Sequence, residues 1–90
     1  MAPDRPVYRY HEDVLIALWT YGVRPTDHTP PELVRGFIND LYRHELRRLR
    51  EQLLKNEFPK REYIDRVVAI RGRYRVLALR PRDWVVSTSQ

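Results

Sequence analysis

The sequence predicts an all-α fold: a small three-helix domain with a long central helix and a short C-terminal extension. Apolar residues recur at helical spacing in three separate segments. The prolines fall between these segments or at their ends, where a missing amide proton breaks no intrahelical hydrogen bond. The 90 residues are expected to form a single domain, because a second one would lack a core. The predicted helices cover residues of about 11–21, 30–56 and 60–78.

The first predicted helix carries one apolar stripe, made of Val14, Leu15, Leu18 and Trp19. Acidic residues open the helix, where they complement its dipole. Gly22 stands where a left-handed residue commonly ends a helix.

The second helix has the clearest start signal in the chain, Thr29–Glu32, which reads T-P-P-E. Threonine can cap the free amides, glutamate three residues later can complete a capping box, and proline is favoured in the first turn. Pro59 limits the far end. Three charge pairs at helical spacing are expected to support the helix, namely Glu45–Arg48, Arg47–Glu51 and Glu51–Lys55.

The apolar residues of this helix form two stripes that differ by roughly a quarter turn. The first, Leu33, Val34, Phe37, Ile38 and Leu41, is expected to pack on the first helix. The second stripe is expected to face the C-terminal segment or another subunit, and an uncovered apolar patch marks an interface. The predicted protein interface is therefore Tyr42, Leu46, Leu49 and Leu53.

The third helix is predicted from steps of four and three that join Tyr63, Val67, Ile70, Tyr74 and Leu77. Gly72 leaves two alternatives, because it either interrupts the helix or ends it near residue 71. A hairpin with strands at Val67–Ile70 and Tyr74–Leu79 competes with the helix but fits the spacing over a shorter span. Trp84–Val86 is expected to fold back over the core, and residues 87–90 to form a frayed tail.

Positive charge is concentrated in the second half of the chain. The net charge is +5, although residues 1–42 hold four basic and six acidic side chains. The segment Arg71–Arg82 holds five arginines and no acid, which suits phosphate contacts with an aromatic ring for base stacking. The alternative is a solvated face that pairs partly with the acidic first half, and this interpretation is favoured. The nucleic-acid hypothesis names Arg71, Arg73, Tyr74, Arg75, Arg80 and Arg82.

Other classes of site have weaker signals. Cysteine is absent, and the serines are confined to Ser87 and Ser89. Asp40 and His44 share a helix face, but an ordinary surface pair is the favoured interpretation. The distant supplements to a metal site would be His11 and Asp13, or Asp27 and His28. The segment between the first two helices is too long for a helix-turn-helix turn. We therefore predict no catalytic residues, no metal and no cofactor.

The leading functional hypothesis is a small, basic, non-enzymatic protein-interaction module that associates with itself or docks into a larger assembly. Nucleic-acid binding through the arginine-rich C-terminal half is the alternative. No apolar segment is long enough to span a bilayer, and no signal-peptide core is present, so a cytoplasmic location is expected.

Overall fold

The computed structural model describes residues 6–86, and within them it confirms the all-α fold with a long central helix. The three α-helices are α1 (Glu12–Thr20), α2 (Pro31–Leu54) and α3 (Tyr63–Arg73). Short 3-10 turns lie at Lys60–Glu62, Arg75–Ala78 and Pro81–Asp83. No helix in this described part of the chain is long and apolar enough to cross a membrane.

The core lies where the C-terminal extension meets the helices. The three largest fully buried side chains are Leu18 of α1, Ile38 of α2 and Trp84 of the extension. The indole Nε1 of Trp84 donates a hydrogen bond to the carbonyl of Val76, at 3.1 Å. The extension therefore folds against the helices, as the sequence predicts.

An antiparallel backbone contact joins the segment before α1 to the extension. The amide of His11 donates to the carbonyl of Trp84 at 3.0 Å, and the amide of Val86 donates to the carbonyl of Arg9 at 2.7 Å. These hydrogen bonds satisfy backbone groups on both segments and hold the indole over the core.

The end of α1 follows the sequence prediction. Gly22 has a φ of 80°, and its amide donates to the carbonyl of Trp19 at 2.9 Å. Glycine accepts this left-handed conformation without the steric penalty that a Cβ atom introduces.

The start of α2 differs from the predicted capping box. Pro30 occupies the cap position and no side chain bonds to the free amides. The hydroxyl of Thr29 instead accepts a hydrogen bond from the amide of Thr26 at 2.9 Å, which stabilises the preceding turn. The capping-box prediction was wrong because Thr29 lies one residue too far upstream, although Pro31 does open the helix.

The buried residues of α2 lie on one face of the helix rather than on two stripes. Val34, Ile38 and Leu49 are buried and lie within about 60° of one another at helical spacing. Leu33 and Phe37 were expected to pack on α1, but they remain 68% and 52% exposed. Helix α3 and the two following 3-10 turns make the main contacts with α2, and α1 makes at most a minor one, so the first stripe does not pack on α1 as predicted.

The third helix was predicted over residues 60–78, but continuous α-helix covers only Tyr63–Arg73. Tyr74 leaves the helical region with φ −113° and ψ 37°, and a 3-10 turn follows it. Gly72 lies inside the last turn of α3 and does not end it. The first strand of the alternative hairpin falls within α3, so the hairpin does not form.

Candidate functional site

Each of the three helices leaves an apolar pair exposed to solvent. The two members of each pair are three or four residues apart, so they share one helix face. Single exposed hydrophobic residues are common on protein surfaces, whereas grouped ones indicate interaction sites. The pairs, with exposed fractions, are Ile16 (51%) and Trp19 (53%), Leu33 (68%) and Phe37 (52%), and Ile64 (66%) and Val68 (57%).

Val68, one member of the pair on α3, lines an open groove, which we call the α3 groove. Its volume is about 830 Å³, and it lies between α3, the 3-10 turn that follows and the middle of α2. Gly72 lines it, and a Cβ atom built on this residue meets nothing within 4 Å. The side chains that define the groove are Tyr42, Val68, Leu77 and Leu79, which are largely apolar, together with Arg71 and Arg75.

One wall of the α3 groove is fixed by an arginine of α2. The Nη2 atom of Arg35 donates to the carbonyl of Leu77 at 2.7 Å, and its Nε atom donates to the carbonyl of Leu79 at 3.1 Å. These bonds hold the 3-10 turn against α2, because a charged donor strengthens a hydrogen bond. The wall is thereby built from residues that lie more than forty positions apart in the chain.

A polar and aromatic group of residues, which we call the Tyr74 cluster, adjoins the groove, since Tyr42 and Tyr74 also line it. The ring of Tyr74 stacks on that of Tyr21 at 4.9 Å and meets that of Tyr42 at 5.4 Å between ring centres. Its hydroxyl donates to Glu45, which also pairs with Arg73 at 2.5 Å. The hydroxyl of Tyr21 donates to the backbone carbonyl of Arg73. The cluster therefore ties all three helices together.

The electrostatics of the Tyr74 cluster follow from these bonds. Burial by itself raises the pKa of Glu45, but the hydrogen bonds from Tyr74 and Arg73 outweigh it, and the pKa lies below its ordinary value. Burial, followed by the hydrogen bond to Glu45, raises the pKa of Tyr74 to about 12. Glu45 is therefore an ionised acceptor and Tyr74 a neutral donor at neutral pH.

These contacts replace the predicted charge pairs within α2. Among residues 6–86, Glu45 pairs with Arg73 of α3 rather than with Arg48, and Glu51 forms no ion pair. An exposed pair within one helix gains little free energy, whereas the contact with α3 also receives a buried hydroxyl.

The four residues of the predicted interface have two different environments. Leu49 is only 5% exposed and belongs to the core. Tyr42, Leu46 and Leu53 are partly buried and pack against that core. Tyr42 is the member of this set that lines the α3 groove, so the groove lies beside the predicted interface and is formed mainly by other residues.

The arginines of the predicted nucleic-acid set do not converge on one surface. Arg71 and Arg75 line the α3 groove, Arg73 pairs with Glu45, and Arg80 pairs with Asp83 at 3.2 Å. Arg82 borders a different depression, beside the residues that precede α1. Tyr74 is 7% exposed and stacked within the protein, so its ring is covered.

A second group of arginines lies on α2 and was missed by the sequence analysis. Arg43, Arg47 and Arg50 are exposed at spacings of four and three, and we call them the α2 arginine stripe. With Leu46 and Tyr63 they line a shallow depression of about 340 Å³. None of the three forms an ion pair with a described residue. The helical spacing of these three arginines is present in the sequence, but the prediction rested on the denser group of arginines within residues 71–82.

A polar cleft between α2 and α3 has a volume of about 340 Å³ and is lined by Glu45, Arg48, Arg66 and Arg73. Arg66 pairs with Glu62 at 3.0 Å, and Arg73 pairs with Glu45, so two of its three arginines have acidic partners. The cleft therefore has little positive charge left for an anion.

The histidine and carboxylate residues considered as metal ligands are dispersed. Asp40 and His44 are both exposed on α2, and His28 lies 3.7 Å from its neighbour Asp27. No group of three or more potential ligand residues comes together within residues 6–86. The two serines weighed as nucleophiles, Ser87 and Ser89, and the predicted frayed tail lie outside the described residues.

Comparison with known proteins gives no match among family models, curated proteins or solved structures. The α3 groove, at about 830 Å³, is larger than the polar cleft and the depression beside the α2 arginine stripe, each of about 340 Å³.

Proposed function

We propose that this protein is a small, non-enzymatic interaction module that associates with itself or docks into a larger assembly, and that the α3 groove is its binding surface. The observation that supports this proposal is the open apolar depression of about 830 Å³, bordered by Val68 at 57% exposure. A depression of this kind releases water from apolar surface when a partner fills it.

The chemistry of the groove favours a macromolecular partner over a small molecule. Its lining combines apolar side chains with Arg71 and Arg75, and it is open to solvent. An interface commonly has an apolar centre with arginine among its enriched residues. An amphipathic segment that carries apolar and acidic side chains would complement this lining.

The proposal is tested by the size of the protein in solution. We expect sedimentation velocity to show association that increases with protein concentration, and Val68→Asp to reduce it because it places a charge in the groove. The matched control is Leu54→Asp, since Leu54 is 73% exposed and does not line the groove. Leu49 is unsuitable for this test because an aspartate in the core would unfold the protein.

Wild-type protein that stays monomeric at every concentration would contradict the self-associating form of the proposal. Equal loss of association in Val68→Asp and Leu54→Asp would show that general surface hydrophobicity, and not the groove, holds the copies together. Circular dichroism of each variant establishes that the helices are retained.

A second candidate function is nucleic-acid binding, and the α2 arginine stripe is the observation that favours it. Its three guanidinium groups extend over about 10 Å of helix, carry no ion pair within the described residues, and lie beside Tyr63. Phosphate contacts of this kind release counterions, so the affinity falls as salt rises.

This candidate is tested by titration of a labelled single strand and duplex at salt between about 50 and 200 mM. Replacement of Arg43, Arg47 and Arg50 by glutamine should flatten the salt dependence by a logarithmic slope of about 2 to 3. The matched triple variant replaces Arg71, Arg73 and Arg75 by glutamine. A larger change in salt dependence in this variant would favour the C-terminal arginines predicted from the sequence. Absence of binding at low salt would reject the candidate.

A further inference from the structure

Helix α1 presents a stripe whose chemistry is the complement of the α3 groove. Glu12, Ile16 and Trp19 are spaced four and three residues apart and share one face, which we call the α1 stripe. All three are exposed, with Ile16 at 51% and Trp19 at 53%. The buried residues of α1, Val14 and Leu18, lie on another face, so the stripe is turned away from the core.

The α3 groove offers what such a stripe needs. Its apolar lining includes Val68 and Leu79, at 57% and 40% exposure. Arg71 and Arg75 are exposed and form no ion pair with any residue in the described range. A helix that carries an acid and two apolar anchors on one face can thus bury the anchors and neutralise the arginines.

We propose that the α1 stripe of one copy of this chain docks into the α3 groove of a second copy. This inference rests on the proposed self-association and names the two surfaces that meet. A second copy is favoured as the occupant because the complementary charges are both present in one chain: the first 42 residues carry a net negative charge and the rest a net positive one.

The contact joins two different surfaces, so its symmetry has a defined consequence. A twofold arrangement closes after two copies and uses the contact twice, whereas any other rotation gives a ring or a chain. In either case, breaking the stripe and breaking the groove remove the same contact from opposite sides. Two defective variants can therefore complement each other when mixed.

The first experiment uses Ile16→Asp, which breaks the stripe, and Val68→Asp, which breaks the groove. Each alone should associate at least about tenfold more weakly than the wild type, because a charge replaces an apolar anchor. An equimolar mixture should recover a mixed complex, since the intact groove of one variant accepts the intact stripe of the other. The control is Leu33→Asp, which lies outside both surfaces and should associate like the wild type.

A second pair of variants, which reverse charges, keeps the test valid if an aspartate within α1 or α3 disturbs folding. Glu12→Arg and the double variant Arg71→Glu with Arg75→Glu change exposed residues only. Each should weaken self-association, and their mixture should restore it because the reversed charges attract again. The attraction should decrease with added salt.

The outcomes separate this inference from the proposed function. A wild type that associates while the stripe and groove variants retain its affinity would overturn the inference and leave self-association standing. Defective variants that show no recovery on mixing would also overturn it, since the two surfaces would not meet. A wild type that is monomeric throughout would overturn both. Tenfold loss in each variant with recovery in the mixture supports the inference.

Discussion

The hydroxyl of Tyr74 offers the sharpest test of how the three helices are held together. In Tyr74→Phe the ring keeps its contacts with Tyr21 and Tyr42, at 4.9 and 5.4 Å between ring centres. Only the hydrogen bond to Glu45 is lost. The variant therefore measures one polar contact of the Tyr74 cluster with little change in packing.

The expected cost follows from the surroundings of Glu45. A hydrogen bond to a charged group contributes about 1.5–3 kcal/mol. The side chain of Glu45 is 33% exposed and keeps its ion pair with Arg73, so the carboxylate is not left without a partner. We expect a loss of about 1–2 kcal/mol in the free energy of unfolding at neutral pH. That is a substantial share of the stability of a 90-residue chain.

The pKa shifts predict how this difference depends on pH. The pKa of Glu45 is lowered in the folded protein, so its contribution is present above the unfolded value and is lost as pH falls through the folded one. The pKa of Tyr74 is raised from 10.0 to about 12, so its contribution is present below pH 10.0 and is lost as pH rises toward 12. The difference between wild type and Tyr74→Phe should therefore be largest between about pH 5 and 9 and should shrink on both sides.

The assay is urea unfolding at a series of pH values, followed by far-ultraviolet circular dichroism because the fold is helical. Tyr63→Phe is the matched control, since the hydroxyl of Tyr63 forms no hydrogen bond with another described residue. It should change stability by less than about 0.5 kcal/mol. A Tyr74→Phe difference that is zero at neutral pH, or that stays constant from acid to alkali, would refute the reasoning.

Four further substitutions test the scaffold. Gly22→Ala should lower the free energy of unfolding by about 1–2 kcal/mol, because the φ of 80° there is unfavourable for a residue with a Cβ atom. Gly36→Ala should raise it by up to about 1 kcal/mol, because this glycine lies inside α2 with open space around it. Urea unfolding measures both changes. Arg35→Ala should lower stability by about 1–3 kcal/mol and speed hydrogen exchange in the 3-10 turn Arg75–Ala78; unchanged exchange would show that the turn does not depend on this arginine. Trp84→Phe removes a buried indole and its hydrogen bond to Val76. The loss in free energy of unfolding should be about 1–3 kcal/mol, and a melting experiment should show a thermal midpoint several degrees lower.

The helices were predictable because their signals are local. Apolar spacing, proline positions and the glycine after α1 act over a few residues, and the structure has helices where these signals lie. The capping box failed for a local reason too, because a shift of one residue places the threonine hydroxyl outside the first turn. Trp84 was also predictable as a cover for the core, since a large aromatic residue after the last helix gains most by burial.

The identity of the buried and exposed apolar residues was decided by tertiary packing. A helical stripe shows which residues share a face, but it does not show which face a partner covers. Leu49 became core, whereas Leu33 and Phe37 stayed in solvent, because α3 and the following turns pack on the face of α2 that contains Leu49. The α3 groove depends on that packing and has no counterpart in any single segment.

The sequence by itself determined the three helices, the position of the extension and the separation of negative and positive charge along the chain. Only the tertiary structure decided where two arginines of the C-terminal run lie: Arg73 against Glu45, and Arg71 in the groove. The physical reason is that helix formation depends on near neighbours, whereas the partner of a charge depends on which distant segment lies within a few ångströms of it.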